Sequence, residues 1–143
     1  MFLGQYRHSL DDKGRVAIPA KFRGGLADGA VVTRGLDQSL FLYPRAQWET
    51  LAQKLAQLPL GQADTRAFAR LMLAGAMEVE IDTSGRILLP EYLRNYAHLS
   101  KEIVAVGVYD RIELWEAAAW DAYAARTEAE GNAIAERLST LGL

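Results

Sequence analysis

The sequence predicts a mixed β/α fold made of two tandem copies of one β-rich unit, each ending in a helix. Three observations carry that expectation. The first is a motif used twice: Leu10-Asp11-Asp12-Lys13-Gly14-Arg15-Val16-Ala17-Ile18-Pro19 leads to Arg23, and Ile81-Asp82-Thr83-Ser84-Gly85-Arg86-Ile87-Leu88-Leu89-Pro90 leads to Arg94. In both, Gly and Arg follow the Asp by three and four places, and Pro and a second Arg follow the first Arg by four and eight. Repetition at a fixed offset fixes the architecture before any element is assigned. The second observation is that the likeness continues beyond the motif. Val31 to Asp37, Leu40 to Tyr43 and Trp48 are matched by Ile103 to Tyr109, Ile112 to Trp115 and Trp120. The third is composition. Half of the 143 residues are hydrophobic, enough for a packed core and too many for a disordered chain.

Gln5 to Leu10 alternates as a strand does, and Asp11 to Gly14 reads as a tight loop. An Asp at the first turn position can accept from N–H groups two residues on, and Gly supplies a positive φ. Arg15 to Ile18 is then expected to return as the partner strand. Pro19 suits the start of a helix, Ala20 to Arg23 make one turn, and Gly24-Gly25 should stop it. Ala30 to Arg34 and Leu40 to Tyr43 read as a strand pair around Gly35-Leu36-Asp37. The helix after Pro44 carries Trp48, Leu51, Leu55 and Leu58 on one face.

Pro59-Leu60-Gly61 separates the copies. A helix over Asp64 to Ala76 follows, with Asp64 as N-cap and Phe68, Leu71, Met72 and Gly75 facing inward. Met77 to Ile81 restarts the strand–loop–strand pattern, and the last helix runs from Ala117 with Trp120, Tyr123, Ala124, Ile134 and Leu138 inward. Gly131-Asn132 marks a kink or stop. The chain thus divides into a first repeat with its helix (1–60), a connecting helix (61–76) and a second repeat with the C-terminal helix (77–143). A unit of some 50 residues is marginal alone, so the copies should pack through their strands.

Composition excludes several classes. No apolar run approaches the ~20 residues of a membrane span, and the N-terminus lacks a signal-peptide core. With no cysteine and only His8 and His98, neither disulfides nor a thiolate or imidazole metal site is expected, which fits a reducing cytoplasm. The chain has no phosphate-cradling loop and no nucleophile elbow, so neither catalytic residues nor cofactors are expected. Net charge is −2, unevenly distributed. Residues 1–60 hold 8 Lys and Arg against 5 Asp and Glu, while residues 61–143 hold 8 against 13. A basic first half on an acidic chain is an asymmetry that can mark a polyanion-binding face.

Met1-Phe2-x-Gly4, His8, Asp11-x-Lys13-Gly14-Arg15, Pro19 and Arg23, with Asp82-x-x-Gly85-Arg86, Pro90 and Arg94, resemble the MraZ family over nearly the whole chain. The resemblance implies two AbrB-like swapped-hairpin units forming a pseudo-two-fold β-barrel with flanking helices. It also implies a nucleoid-associated transcriptional regulator of the division and cell-wall gene cluster. Such a protein acts as a ring-shaped homo-oligomer reading short direct repeats of double-stranded DNA in its own promoter. The family signature, Asp-x-x-x-Arg, falls here on Asp11 with Arg15 and Asp82 with Arg86. The second copy departs from the first at Thr83-Ser84.

The residue chemistry is compatible. The expected DNA-binding residues are Arg15, Lys13, Arg7, His8 and Arg86, with Asp11, Gly14, Asp82 and Gly85 supporting the turns. Arg7, His8, Lys13 and Arg15 lie on the arms and tip of one predicted hairpin, and a two-stranded ribbon fits the major groove. Arg can bond guanine O6 and N7 together, and Lys13 adds phosphate attraction. Blander readings stay open on residues alone. The Asp–Arg pairs also suit turn-locking salt bridges or subunit contacts, and His8 suits an ordinary surface position. Arg23 and Arg94 suit structural or interface roles, and the three Trp suit packing. The alternative function is a structural or protein-interaction ring scaffold, an antitoxin-like AbrB relative whose partner is another protein. Neither a membrane nor a small-molecule ligand is expected.

Overall fold

The computed structural model describes residues 1–142. Its strands are β1 (Phe2–Ser9), β2 (Arg15–Ala17), β3 (Ala30–Arg34), β4 (Leu40–Pro44), β5 (Met77–Val79), β6 (Arg86–Leu88), β7 (Glu102–Tyr109) and β8 (Ile112–Glu116). The helices are α1 (Ala20–Arg23), α2 (Arg45–Ala56), α3 (Ala63–Ala74), α4 (Glu91–Tyr96), α5 (Ala117–Ala129) and α6 (Gly131–Arg137), with 3-10 turns at Gly24–Leu26 and Ser139–Leu141. None of the helices is long and apolar enough to cross a membrane among the described residues.

The strands make one six-stranded antiparallel sheet in the order β1-β7-β8-β4-β3-β5 and a separate two-stranded ribbon, β2-β6. The copies are interleaved. β1 of the first pairs over its full length with β7 of the second, from Phe2 opposite Tyr109 to Ser9 opposite Glu102. β5 of the second pairs with β3 of the first, Ala30 opposite Val79. The ribbon takes one strand from each copy, Val16 opposite Ile87.

Several expectations need correction. The strand after the first loop does not pair with the strand before it as a regular ribbon. Only a bridge, Leu10 to Val16, joins the end of β1 to β2, because beyond the loop β2 leaves the sheet to pair with β6 of the other copy. The barrel does not close either. β1 and β5 are the sheet's two edges, and β5 ends at Val79, too short to carry a ladder on to β6. The first short helix ends at Arg23 as expected, and a 3-10 turn over Gly24–Leu26 follows it. Asp64 is also not an N-cap: α3 starts at Ala63 after Gln62, and Asp64 lies in its first turn. On that helix Met72 is buried but Phe68 is exposed; α6 buries no residue, and Leu138 just beyond it is exposed.

The core explains why the copies cannot be separated. On one sheet face, Leu40, Leu42, Ile103, Ala105, Ile112 and Leu114 meet Val16, Ile18 and Phe22 of the first motif and Ile87, Leu89 and Leu93 of the second. Each fully buried Leu or Ile is worth roughly 1.5–3 kcal/mol, and this cluster draws on both copies throughout. The strands alternate, so Phe41 and Tyr43 point the other way beneath α2 and α3. Val104, Val106 and Trp115 do so beneath α5 with Trp120 and Tyr123. The three tryptophans are therefore packing residues.

Candidate nucleic-acid interface

The two Asp-x-x-Gly loops have the same construction. Asp11 Oδ1 accepts from the N–H groups of Lys13 (3.0 Å) and Arg15 (2.8 Å), while the Asp11 N–H donates to the Arg15 carbonyl at 2.9 Å. Asp82 Oδ1 accepts from Ser84 and Arg86, each at 2.9 Å, and its N–H donates to the Arg86 carbonyl at 2.8 Å. Gly14 (φ 84°) and Gly85 (φ 79°) close the loops in a left-handed conformation that only glycine adopts freely. The backbone hydrogen bond from the following arginine, before any charge effect, holds each carboxyl below its ordinary value. Both stay ionised at neutral pH, so neither is a proton-transfer group.

These loops feed the ribbon directly. Val16 and Ile87 point into the core with no exposure, so alternation sends Arg15 and Ala17 of β2, and Arg86 and Leu88 of β6, to the opposite face. Arg15 stands across from Leu88, and Ala17 across from Arg86. Both arginine side chains are 32% exposed, and Leu88 is 59% exposed. Arg15 Nε donates to Asp11 Oδ2 at 2.7 Å, and Arg86 Nη1 lies 3.6 Å from the same oxygen. Arg86 Nε is 3.4 Å from Asp82 Oδ2. The result is one solvent-facing surface with a motif arginine from each copy, braced by the Asp at the base of each loop, and with exposed Lys13 beside it.

The remaining candidates divide. His8 sits half-buried on β1, on the same side as Tyr6 and Phe22; burial, and next the nearby Arg23 charge, lower its pKa, so it is neutral at pH 7. Arg7 points to the other side of β1, where its guanidinium pairs with Asp121 of α5. The structure thus brings together Arg15, Arg86 and Lys13, and separates Arg7 from them. Leu88 was not singled out from sequence. The signal available there was its place two residues after Arg86 in a strand whose intervening residue is buried.

Among the described residues there is no cluster of three or more His, Asp or Glu that could hold a metal. Comparison with known proteins finds the same duplication. A family model described as "MraZ protein, putative antitoxin-like" matches residues 1–71 and again 72–141. A protein named "Transcriptional regulator MraZ" in Natranaerobius thermophilus is 51% identical over 138 residues, 96% of each chain. One of the same name in Desulforamulus reducens is 50% identical over 141 residues, 99% of each. Another in Acetivibrio thermocellus is 46% identical over the full length of both.

Proposed function

The chain belongs to the MraZ family, and from that premise we propose that it is a non-enzymatic, DNA-binding transcriptional regulator whose reader is the β2–β6 ribbon. The observation that carries the proposal is the shared outer face of Arg15 and Arg86, with Lys13 at its margin. A two-stranded ribbon fits the major groove, where an arginine fork reads guanine and an exposed aliphatic group such as Leu88 meets a thymine methyl. Arg15 supplies the principal base contact, Arg86 a second, and Lys13 phosphate attraction. His8, neutral, offers hydrogen bonding but no charge to a phosphate, and Arg7 contributes only if it exchanges Asp121 for a phosphate.

One ribbon makes few contacts, and few phosphate contacts give weak, salt-sensitive binding. A ring of copies on evenly spaced direct repeats adds about 10²–10⁴ in avidity, which lets a net-acidic chain hold DNA. The reading therefore includes the ring, the repeats in the promoter of the division and cell-wall cluster, and a place at the nucleoid in the cytoplasm. A pseudo-two-fold relation between the copies belongs to the same proposal, since the strand order exchanges the first strand of each copy for that of the other.

Footprinting the intact protein on the region upstream of its own gene at two salt concentrations tests this. Evenly spaced protection that weakens with salt is expected, and uniform or absent protection contradicts it. The scaffold reading has one observation in its favour. α6 buries nothing, and Leu141 beyond it is exposed, a surface suited to a protein partner. Under that reading the protein would close rings without protecting DNA.

A further inference from the structure

We propose that Arg23 and Arg94 are positioning residues for the two Asp-x-x-Gly loops, each latching the loop of the opposite copy. The proposal rests on the ribbon being the DNA reader, and adds what holds its loops in reading geometry.

The contacts run crosswise. Leu89, in the second copy, donates its N–H to the Gly14 carbonyl of the first at 2.8 Å, and Arg94 Nε donates to the Leu89 carbonyl at 3.1 Å. The Arg94 guanidinium then lies against Gly14: a Cβ at that glycine would stand 2.9 Å from Arg94 Nε and 3.0 Å from the Leu89 oxygen. The other half mirrors it. Ile18, in the first copy, donates its N–H to the Gly85 carbonyl at 2.9 Å, Arg23 Nε donates to the Ile18 carbonyl at 2.8 Å, and a Cβ at Gly85 would stand 2.6 Å from Arg23 Nε.

Each loop glycine therefore does two things. It adopts a positive φ, and it leaves the space that the other copy's arginine fills. A planar guanidinium is suited to that space, because it can lie flat against backbone while Nε donates in its own plane. The chain of contacts ends one residue before Arg15 and Arg86. A loop freed from its latch lets the reader arginine at its end leave the ribbon face. Because the latches cross, losing Arg94 loosens the Lys13-Gly14 loop of the first copy and leaves the Ser84-Gly85 loop of its own copy in place.

Two measurements on the full-length protein test this, each with Arg94→Ala and with Arg94→Met, which keeps the stem's packing if the Ala form fails to fold. Amide exchange without DNA is expected to quicken roughly tenfold or more at Gly14 and Leu89 while Ile18 and Gly85 hold, with Arg23→Ala or Arg23→Met giving the reverse. A uniform change, or one confined to the mutated copy's own loop, overturns the latch. Binding to the DNA region protected by the unaltered protein should weaken about tenfold with an unchanged salt slope. A slope reduced by about 0.9 would make Arg94 a phosphate contact and overturn the positioning role. If the unaltered protein binds no DNA, the functional reading fails by itself and the exchange pattern still decides the latch.

Discussion

The carboxylate of Asp11 stands 3.6 Å from the guanidinium of Arg86, an ionic contact between the copies that Asp82 does not return to Arg15 among the described residues. Asp11 therefore makes ionic contacts to both motif arginines, while Asp82 contacts Arg86 alone, although the Arg15 charge still helps to hold its carboxyl low. The loops share a sequence pattern and a backbone, but their ion-pair contacts are not symmetric.

From that asymmetry we expect Asp11→Ala to weaken DNA binding more than Asp82→Ala. The first removes a carboxylate contact from both motif arginines and the second from Arg86 alone, and on the proposed reading each base-edge donor lost from register costs roughly tenfold in specific affinity. Titrating labelled promoter DNA with each variant checks it. Equal losses, or a greater loss from Asp82→Ala, contradict the shared-carboxylate geometry.

Stability should fall on the acid side in two windows. The folded pKa values of Asp11, Asp82 and Glu116 lie below their ordinary values, each chiefly through a backbone N–H donated to the carboxylate. Their stabilising contribution is thus present above about pH 4 and lost as pH falls through the folded values. His8 is lowered first by burial, so its contribution is present above about pH 6.5 and fades below it, where the unfolded chain takes up the proton first. Thermal unfolding between about pH 8 and 3 should show both declines. Asp11→Asn should flatten the lower one and His8→Gln the upper; an unaltered profile in either variant contradicts the assignment.

Cutting the chain between the copies should unfold both halves. β1 depends on β7 for its whole ladder, β5 depends on β3, and the ribbon needs a strand from each copy. Fragments 1–76 and 77–143 are expected to lack cooperative unfolding alone and to regain it when mixed. A fragment with a cooperative transition of its own would contradict the interleaved core.

The sequence made the duplication, the loops and most elements legible, because these rest on local chemistry. Asp followed by Gly at three places specifies its own turn, and Leu40 to Tyr43 is a continuous apolar run, as a strand covered on both faces is. What it hid was pairing. Nothing local in Val16-Ala17 states that its partner is Ile87-Leu88 and not the strand before its own loop, since either ladder buries Val16 equally well. The same gap placed Arg7 beside Arg15, when alternation along β1 turns it toward Asp121. Phe68 and Leu138 sit at helical spacing with apolar neighbours, yet they lie where the helix has no sheet beneath it.

The most direct test of the ribbon as reader is the binding of Arg15→Ala to promoter DNA, measured at two salt concentrations beside the unaltered protein, with assembly followed on a sizing column. We predict that specific affinity falls by ~1–3 kcal/mol while the assembled size and melting temperature hold, because on the proposed reading Arg15 is a base-edge donor and not a core residue. Unchanged affinity with the assembly intact would contradict the account.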